Sequence, residues 1–195
     1  ATHQMVTWSA DPDMAGIRMS VNVSGRHLIS QTPPEHLRHV LARSGADPRL
    51  LTIEITETVL LDDLAIAATQ LEEVRRLGVQ VAVDDFGTGY TSLSHLQQLP
   101  VDTIKIDRSF VTGLDHSNDT SLIRMIIELG HHLGLRIITE GVETAHQFDT
   151  LRDLGSDAIQ GYLFGLPAPP EQIVAGRQEP ILAPGMTHRR ALRAV

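Results

Sequence analysis

The chain has 195 residues, 42% hydrophobic and 21% charged, an ordinary make-up for a single globular domain with a sizeable core. A net charge of -8 does not suit phosphate-backbone binding, so duplex nucleic acid is not an expected partner, and the lack of cysteine removes disulfides and thiolate metal sites. No apolar run spans a bilayer and no signal peptide opens the sequence, so the expected location is the cytoplasm, with any membrane attachment left to a longer parent.

Taken in order, residues Ala1 to Trp8 read as the end of a helix, and Asp11-Pro12-Asp13 as a turn. A strand is predicted over Ile17 to Val23. A helix follows from Pro33-Pro34 to Arg43, with Thr32 as cap and Gly45 as stop. Leu51 to Thr56 is the second strand, and Asp62 to Leu77 an amphipathic helix closed by Gly78. Val79 to Asp85 alternates valines with no polar face, the pattern of a strand buried on both sides. A short helix over Thr91 to Gln98 leads to a strand over Thr103 to Ile106. A helix over Asp119 to Leu133, a strand over Arg136 to Thr139, a Thr144-capped helix to Leu154 and a strand over Ala158 to Tyr162 complete the series. Pro167 to Pro170 introduces a last short helix, and residues 176–195 read as a flexible C-terminal tail after a domain over 1–175.

Strands alternating with helices through short connections predict a parallel sheet with helices outside it. An open doubly wound sheet usually carries a glycine-rich phosphate loop after its first strand, and this sequence has none there. The other candidate is a (β/α)8 barrel, short here by roughly two units at the N-terminus. A start partway into a helix, without an initiating Met, leads to the expectation of a longer parent.

In such barrels the reactive groups project from the carboxyl ends of the strands. Those ends carry Asn22, Glu54, Asp84 with Asp85, Lys105 with Asp107, Glu140 with Glu143, and Gln160. Glu54 lies between Ile53 and Ile55, and Lys105 between Ile104 and Ile106; each alone reads equally well as half of a structural ion pair. Asp84-Asp85 followed by Gly87 and Gly89 reads alone as a solvated turn. Together, oxygen donors of these types suit hard cations such as Mg²⁺ or Mn²⁺, and a two-metal site can clamp both oxygens of a phosphoryl displacement. Lys105 can orient a water or stabilise charge on phosphorus, and Gln160 and Glu140 can complete the surroundings. Asp85-Phe86-Gly87 spells the kinase metal-binding tripeptide, but the other kinase motifs are absent. His131-His132 sits at a helix end, where imidazoles are common without any ligand.

The segments Val21-Asn22-Val23-Ser24, Glu54-Ile55-Thr56-Glu57, Asp84-Asp85-Phe86-Gly87-Thr88-Gly89-Tyr90, Lys105-Ile106-Asp107, Glu140-Gly141-Val142-Glu143 and Gln160-Gly161-Tyr162 resemble, in order, the motifs of the EAL domain. The resemblance runs from about Ile17 to Pro167. It implies a TIM-like (β/α)8 barrel of the EAL type, incomplete here with about six β/α units. It also implies a bacterial signalling phosphodiesterase that hydrolyses cyclic di-GMP to linear pGpG with Mg²⁺ or Mn²⁺. On that basis Asn22, Glu54, Asp84 and Asp85 are metal ligands, and Lys105 activates the attacking water with help from Glu140. Gln160, Glu143 and Asp107 lie near metal or substrate, and Glu57 anchors the loop after Asp85. The loop from Phe86 to Ser92 is implied as a homodimer contact and a link to regulatory or GGDEF-type domains. The Glu-Ala-Leu signature and the arginine that follows it do not occur in this sequence, which leads to an expectation of weak metal binding and weak turnover. Thr139 and Thr91 stand where alanine and serine are common. The rival readings are a non-catalytic EAL-like module that binds cyclic di-GMP or a protein, and a different (β/α) phosphohydrolase.

Overall fold

A computed structural model describes residues 1–24, 27–28, 33–57, 64–89, 93–115 and 119–176. It divides into two compact units, one over Ala1–Ile104 and one beginning at Lys105.

In the first unit, α1 (Thr2–Ser9) leads to β1 (Met19–Asn22), and α2 (Pro33–Ser44) leads through a 3-10 turn (Pro48–Leu50) to β2 (Leu51–Thr56). Helix α3 (Leu64–Arg76), β3 (Gln80–Phe86), the short α4 (Leu93–Leu96) and the start of β4 (Thr103–Ile106) follow. Proline opens α2, where a missing N–H is harmless, and Gly45 ends it with φ +73°, donating its N–H to Leu41. Buried Ala67, Leu71 and Val74 form the inner stripe of α3 at helical spacing. Strands β1, β2 and β3 pair in parallel, with Asn22 level with Glu54 and Thr56 level with Asp84. Ile53, Ile55, Val81 and Val83 are buried and supply the apolar layer of this sheet.

The second unit begins within β4, whose four residues are all buried. It continues through α5 (Arg108–Thr112), a 3-10 turn (Gly113–Asp115), α6 (Ser121–His132), β5 (Arg136–Thr139), α7 (Ala145–Asp153), β6 (Ala158–Ile159) and α8 (Pro170–Gly176). β5 and β6 are parallel, and the N–H of Glu140 donates to Ile106 at the end of β4. Ile123, Ile126 and Ile127 of α6 and Phe148 and Leu151 of α7 fill the core of this unit.

The strands over 51–56, 103–106 and 136–139 match their predicted bounds. The first strand is shorter than predicted, Met19–Asn22 in place of Ile17 to Val23. The last one stops at Ile159 rather than Tyr162, because the chain after β5 crosses there. The N–H of Val142 donates to Gln160, and a β-carbon on Gly161 would lie 2.1 Å from the Val142 carbonyl oxygen. Helix α6 starts at Ser121, two residues late, because the Asp119 carboxylate accepts the Ser121 N–H and holds the chain in a turn. Helix α5 has no counterpart in the predicted series; its signal was Asp107, whose carboxylate caps the helix by accepting the Ser109 N–H at 3.0 Å. Thr32, Asp62, Asp63, Tyr90, Thr91, Ser92 and the tail over 177–195 lie outside the described residues.

Candidate functional site

The first unit places its oxygen donors by strand register. Parallel partners point to the same face, and residues two apart on a strand share a face. Asn22 is level with Glu54, Thr56 lies two residues beyond Glu54, and Asp84 is level with Thr56. Asn22, Glu54 and Asp84 therefore share one face at the carboxyl ends of adjacent strands. Glu54 is only 7% exposed, whereas Asp84 is half-buried and Asn22 and Asp85 are exposed. Asp85 follows on the same strand with φ 53°, the single non-glycine residue at positive φ among the described residues. That left-handed backbone turns its carboxylate out of the strand's alternation, and such strain concentrates at functional positions.

Glu57 holds the turn after Asp85. Its side chain is buried, and one carboxylate oxygen accepts the N–H groups of both Gly87 and Gly89, each at 3.0 Å. A β-carbon on Gly89 would sit 2.9 Å from the Glu57 carboxyl carbon, so a larger residue there would have to push that carboxylate off the turn. The Thr88 hydroxyl closes the turn by donating to the Asp85 carbonyl at 2.8 Å.

In the second unit, Lys105 on β4 and Glu140 at the end of β5 form an ion pair of 2.6 Å. The lysine is buried and the glutamate half-buried, so the ammonium is held in a fixed position in a low-dielectric setting. Glu143 and Gln160 are exposed. The N–H of Glu143 donates to the buried Gln147 side chain at 2.8 Å. The sequence reading passed over Gln147; its signal is the capping-box spacing Thr144-x-x-Gln147. Asp107 spends its carboxylate on the cap of α5. Burial works to raise its pKa, but hydrogen bonds from Ser109 and the Arg108 N–H outweigh that and hold it below the usual carboxylate range.

The donors of the first unit fit a hard divalent cation: one amide and several carboxylates offer oxygen alone, the chemistry that Mg²⁺ and Mn²⁺ select.

Parallel strands alternating with helices, with oxygen donors at the strands' carboxyl ends, define a β/α protein of the barrel class with a carboxylate-rich centre. The sequence profile of the EAL domain matches residues 1–167, and the chain belongs to that family. It is 38% identical over 176 residues to the bifunctional diguanylate cyclase/cyclic di-GMP phosphodiesterase MucR of Pseudomonas aeruginosa, covering 90% of this chain and 26% of that protein. The structure of the MucR phosphodiesterase in complex with c-di-GMP superposes with a TM-score of 0.83 at 37% identity, over 89% of this chain and 70% of that one. The EAL domain of Mycobacterium smegmatis DcpA gives 0.85 at 36% identity, over 90% and 79%. A manganese/cy-diGMP complex of Klebsiella pneumoniae BlrP1 gives 0.77 at 26% identity, over 86% and 42%. The fold is thus the TIM-like EAL fold, with six strands among the described residues. The chain spans about a fifth to a quarter of the curated relatives it matches. No helix among the described residues is long and apolar enough to cross a membrane.

Proposed function

We propose that this chain carries the catalytic groups of a cyclic di-GMP phosphodiesterase that opens one phosphodiester to give linear pGpG. The observation that carries the reading is the shared face of Asn22, Glu54 and Asp84 in a member of the EAL family. Asn22, Glu54, Asp84 and Asp85 would hold Mg²⁺ or Mn²⁺, as one or two ions. When bound, such ions lower the pKa of water and neutralise charge on the phosphoryl oxygens. Lys105, fixed by Glu140, orients the attacking water and stabilises the negative charge that builds on phosphorus. Gln160, Glu143 and Asp107 would serve near the metal or the substrate, Asp107 while also capping α5. Glu57 holds the backbone that presents Asp85. The turn that begins at Phe86 would pass occupancy of this centre to a second copy of the chain or to GGDEF-type domains of a larger protein, in the cytoplasm.

The test is incubation with cyclic di-GMP and Mn²⁺, following pGpG. Turnover that disappears in Asp84→Asn and in Lys105→Met supports the reading. Binding of cyclic di-GMP with no product under any metal assigns the chain to a non-catalytic receptor. Activity on simple phosphate esters alone would make it a different phosphohydrolase.

A further inference from the structure

In the second unit, Lys105 and the segment from Glu140 to Thr144 are joined at one end by the Lys105–Glu140 pair. A second junction lies where the 3-10 turn after α5 packs on the start of α7. There the Asp115 carboxylate accepts the Thr144 hydroxyl at 3.0 Å on one oxygen and the Gln147 side-chain N–H at 2.6 Å on the other. Asp115 is exposed, but Leu114 beside it is buried and seats the turn. Gln147 is buried, and its amide oxygen accepts the N–H groups of both Glu143 and Thr144, at 2.8 and 3.2 Å. An amide has one accepting end and one donating end, so Gln147 serves both backbone groups only with its oxygen toward them. An ionised carboxylate only accepts, so Asp115 selects that orientation. A flipped amide would set its NH₂ against two N–H donors and its oxygen against the carboxylate.

We infer that Asp115 is a positioning residue: through the Gln147 amide it fixes the backbone at Glu143 and Thr144, and with it the segment that presents Glu140 to Lys105. The earlier part of that segment has its own ties, since the N–H of Glu140 donates to Ile106 and that of Val142 to Gln160. Its last two N–H groups depend on the Gln147 oxygen. Loss of that acceptor displaces Glu143 directly and loosens the hold of Glu140 on the ammonium. What the pair does for catalysis rests on the phosphodiesterase reading; how the pair is held does not.

Trading the two groups tests this in the whole chain. Gln147→Glu keeps the shape but sets two carboxylates against each other. Asp115→Asn/Gln147→Glu restores the donors and acceptors with amide and carboxylate exchanged. Lys105 is the only lysine in the sequence, so isotope-labelled lysine gives a single ammonium resonance. In Gln147→Glu that resonance should shift, and kcat on cyclic di-GMP with Mn²⁺ should fall about ten- to a hundredfold with KM little changed. Both should return toward the parent values in the double variant, which a merely structural role would not require. An unmoved resonance or an undiminished kcat in Gln147→Glu, or a double variant no better than the single one, overturns the inference. If Gln147→Glu does not fold, Asp115→Ala takes its place, with Asp115→Asn, which still accepts from Gln147, as the rescue, and the same outcomes decide. A parent chain without turnover overturns the phosphodiesterase reading alone, and the ammonium resonance then decides this inference.

Discussion

Asp85 holds φ 53°, a left-handed backbone that crowds a β-carbon and that aspartate tolerates better than most residues. Asp85→Gly should relieve strain on the order of 1 kcal/mol, offset by the greater freedom of glycine in the unfolded chain. Thermal stability should therefore stay within about 1 kcal/mol of the parent, while Mn²⁺ affinity in calorimetry falls. A large stability loss would mean that the carboxylate serves the fold rather than a ligand. Lys105 is the opposite case, a charge whose position depends on its partner. Lys105→Met leaves the half-buried Glu140 without its 2.6 Å partner and should cost about 1–3 kcal/mol in urea denaturation, less than for a fully enclosed pair. A stabilised variant would show that the pair is retained for its chemistry alone.

Among the elements, the sheet repeats one clamp. Asp102 donates its N–H to the Val81 carbonyl, accepts the Val81 N–H on its side chain at 2.9 Å, and pairs with Arg75 at the end of α3. In the second unit Asp157 does the same to Ile137 at 2.7 Å and meets His131 at the end of α6. Each aspartate fixes the start of the preceding strand to the helix before it, which sets the level at which the residues at the strand's other end emerge. Asp157→Ala leaves the Ile137 N–H without its acceptor and should cost about 1–3 kcal/mol, read as a shift in denaturation midpoint. The cap of α5 gives a pH dependence. The folded-state pKa of Asp107 is depressed, so its stabilising contribution is complete above the ordinary carboxylate pKa and is lost as pH falls through the folded value. Asp107→Asn, which still caps, should flatten that part of the acid limb in a stability–pH profile, whereas an unchanged profile would assign the acid sensitivity to other carboxylates.

For the whole chain, the net charge of -8 and a carboxylate-rich centre make a divalent ion the natural counterweight. Mn²⁺ present at a hundred times its dissociation constant should raise stability by about 2.7 kcal/mol through binding to the folded state alone. In Asp84→Asn that gain should shrink toward zero in a thermal melt. An equal gain in the variant would place the ion elsewhere.

The alternation of strands and helices, the family motifs and the residue types of the centre were legible in the sequence because they depend on local pattern: β-branched runs for strands, helical stripes for helices, and polar residues set among apolar neighbours. Glu54 and Lys105 stood out for that reason, each a charge between two isoleucines. What local pattern could not supply was everything set by partners distant in the chain. The level of β1 against β2 and β3, which puts Asn22, Glu54 and Asp84 on one face, is a property of pairing. The early end of β6 follows from the Val142 backbone crossing over Gly161. The pairing of Lys105 with Glu140 required the folded chain. Composition named the donors, and tertiary packing decided which of them stand together.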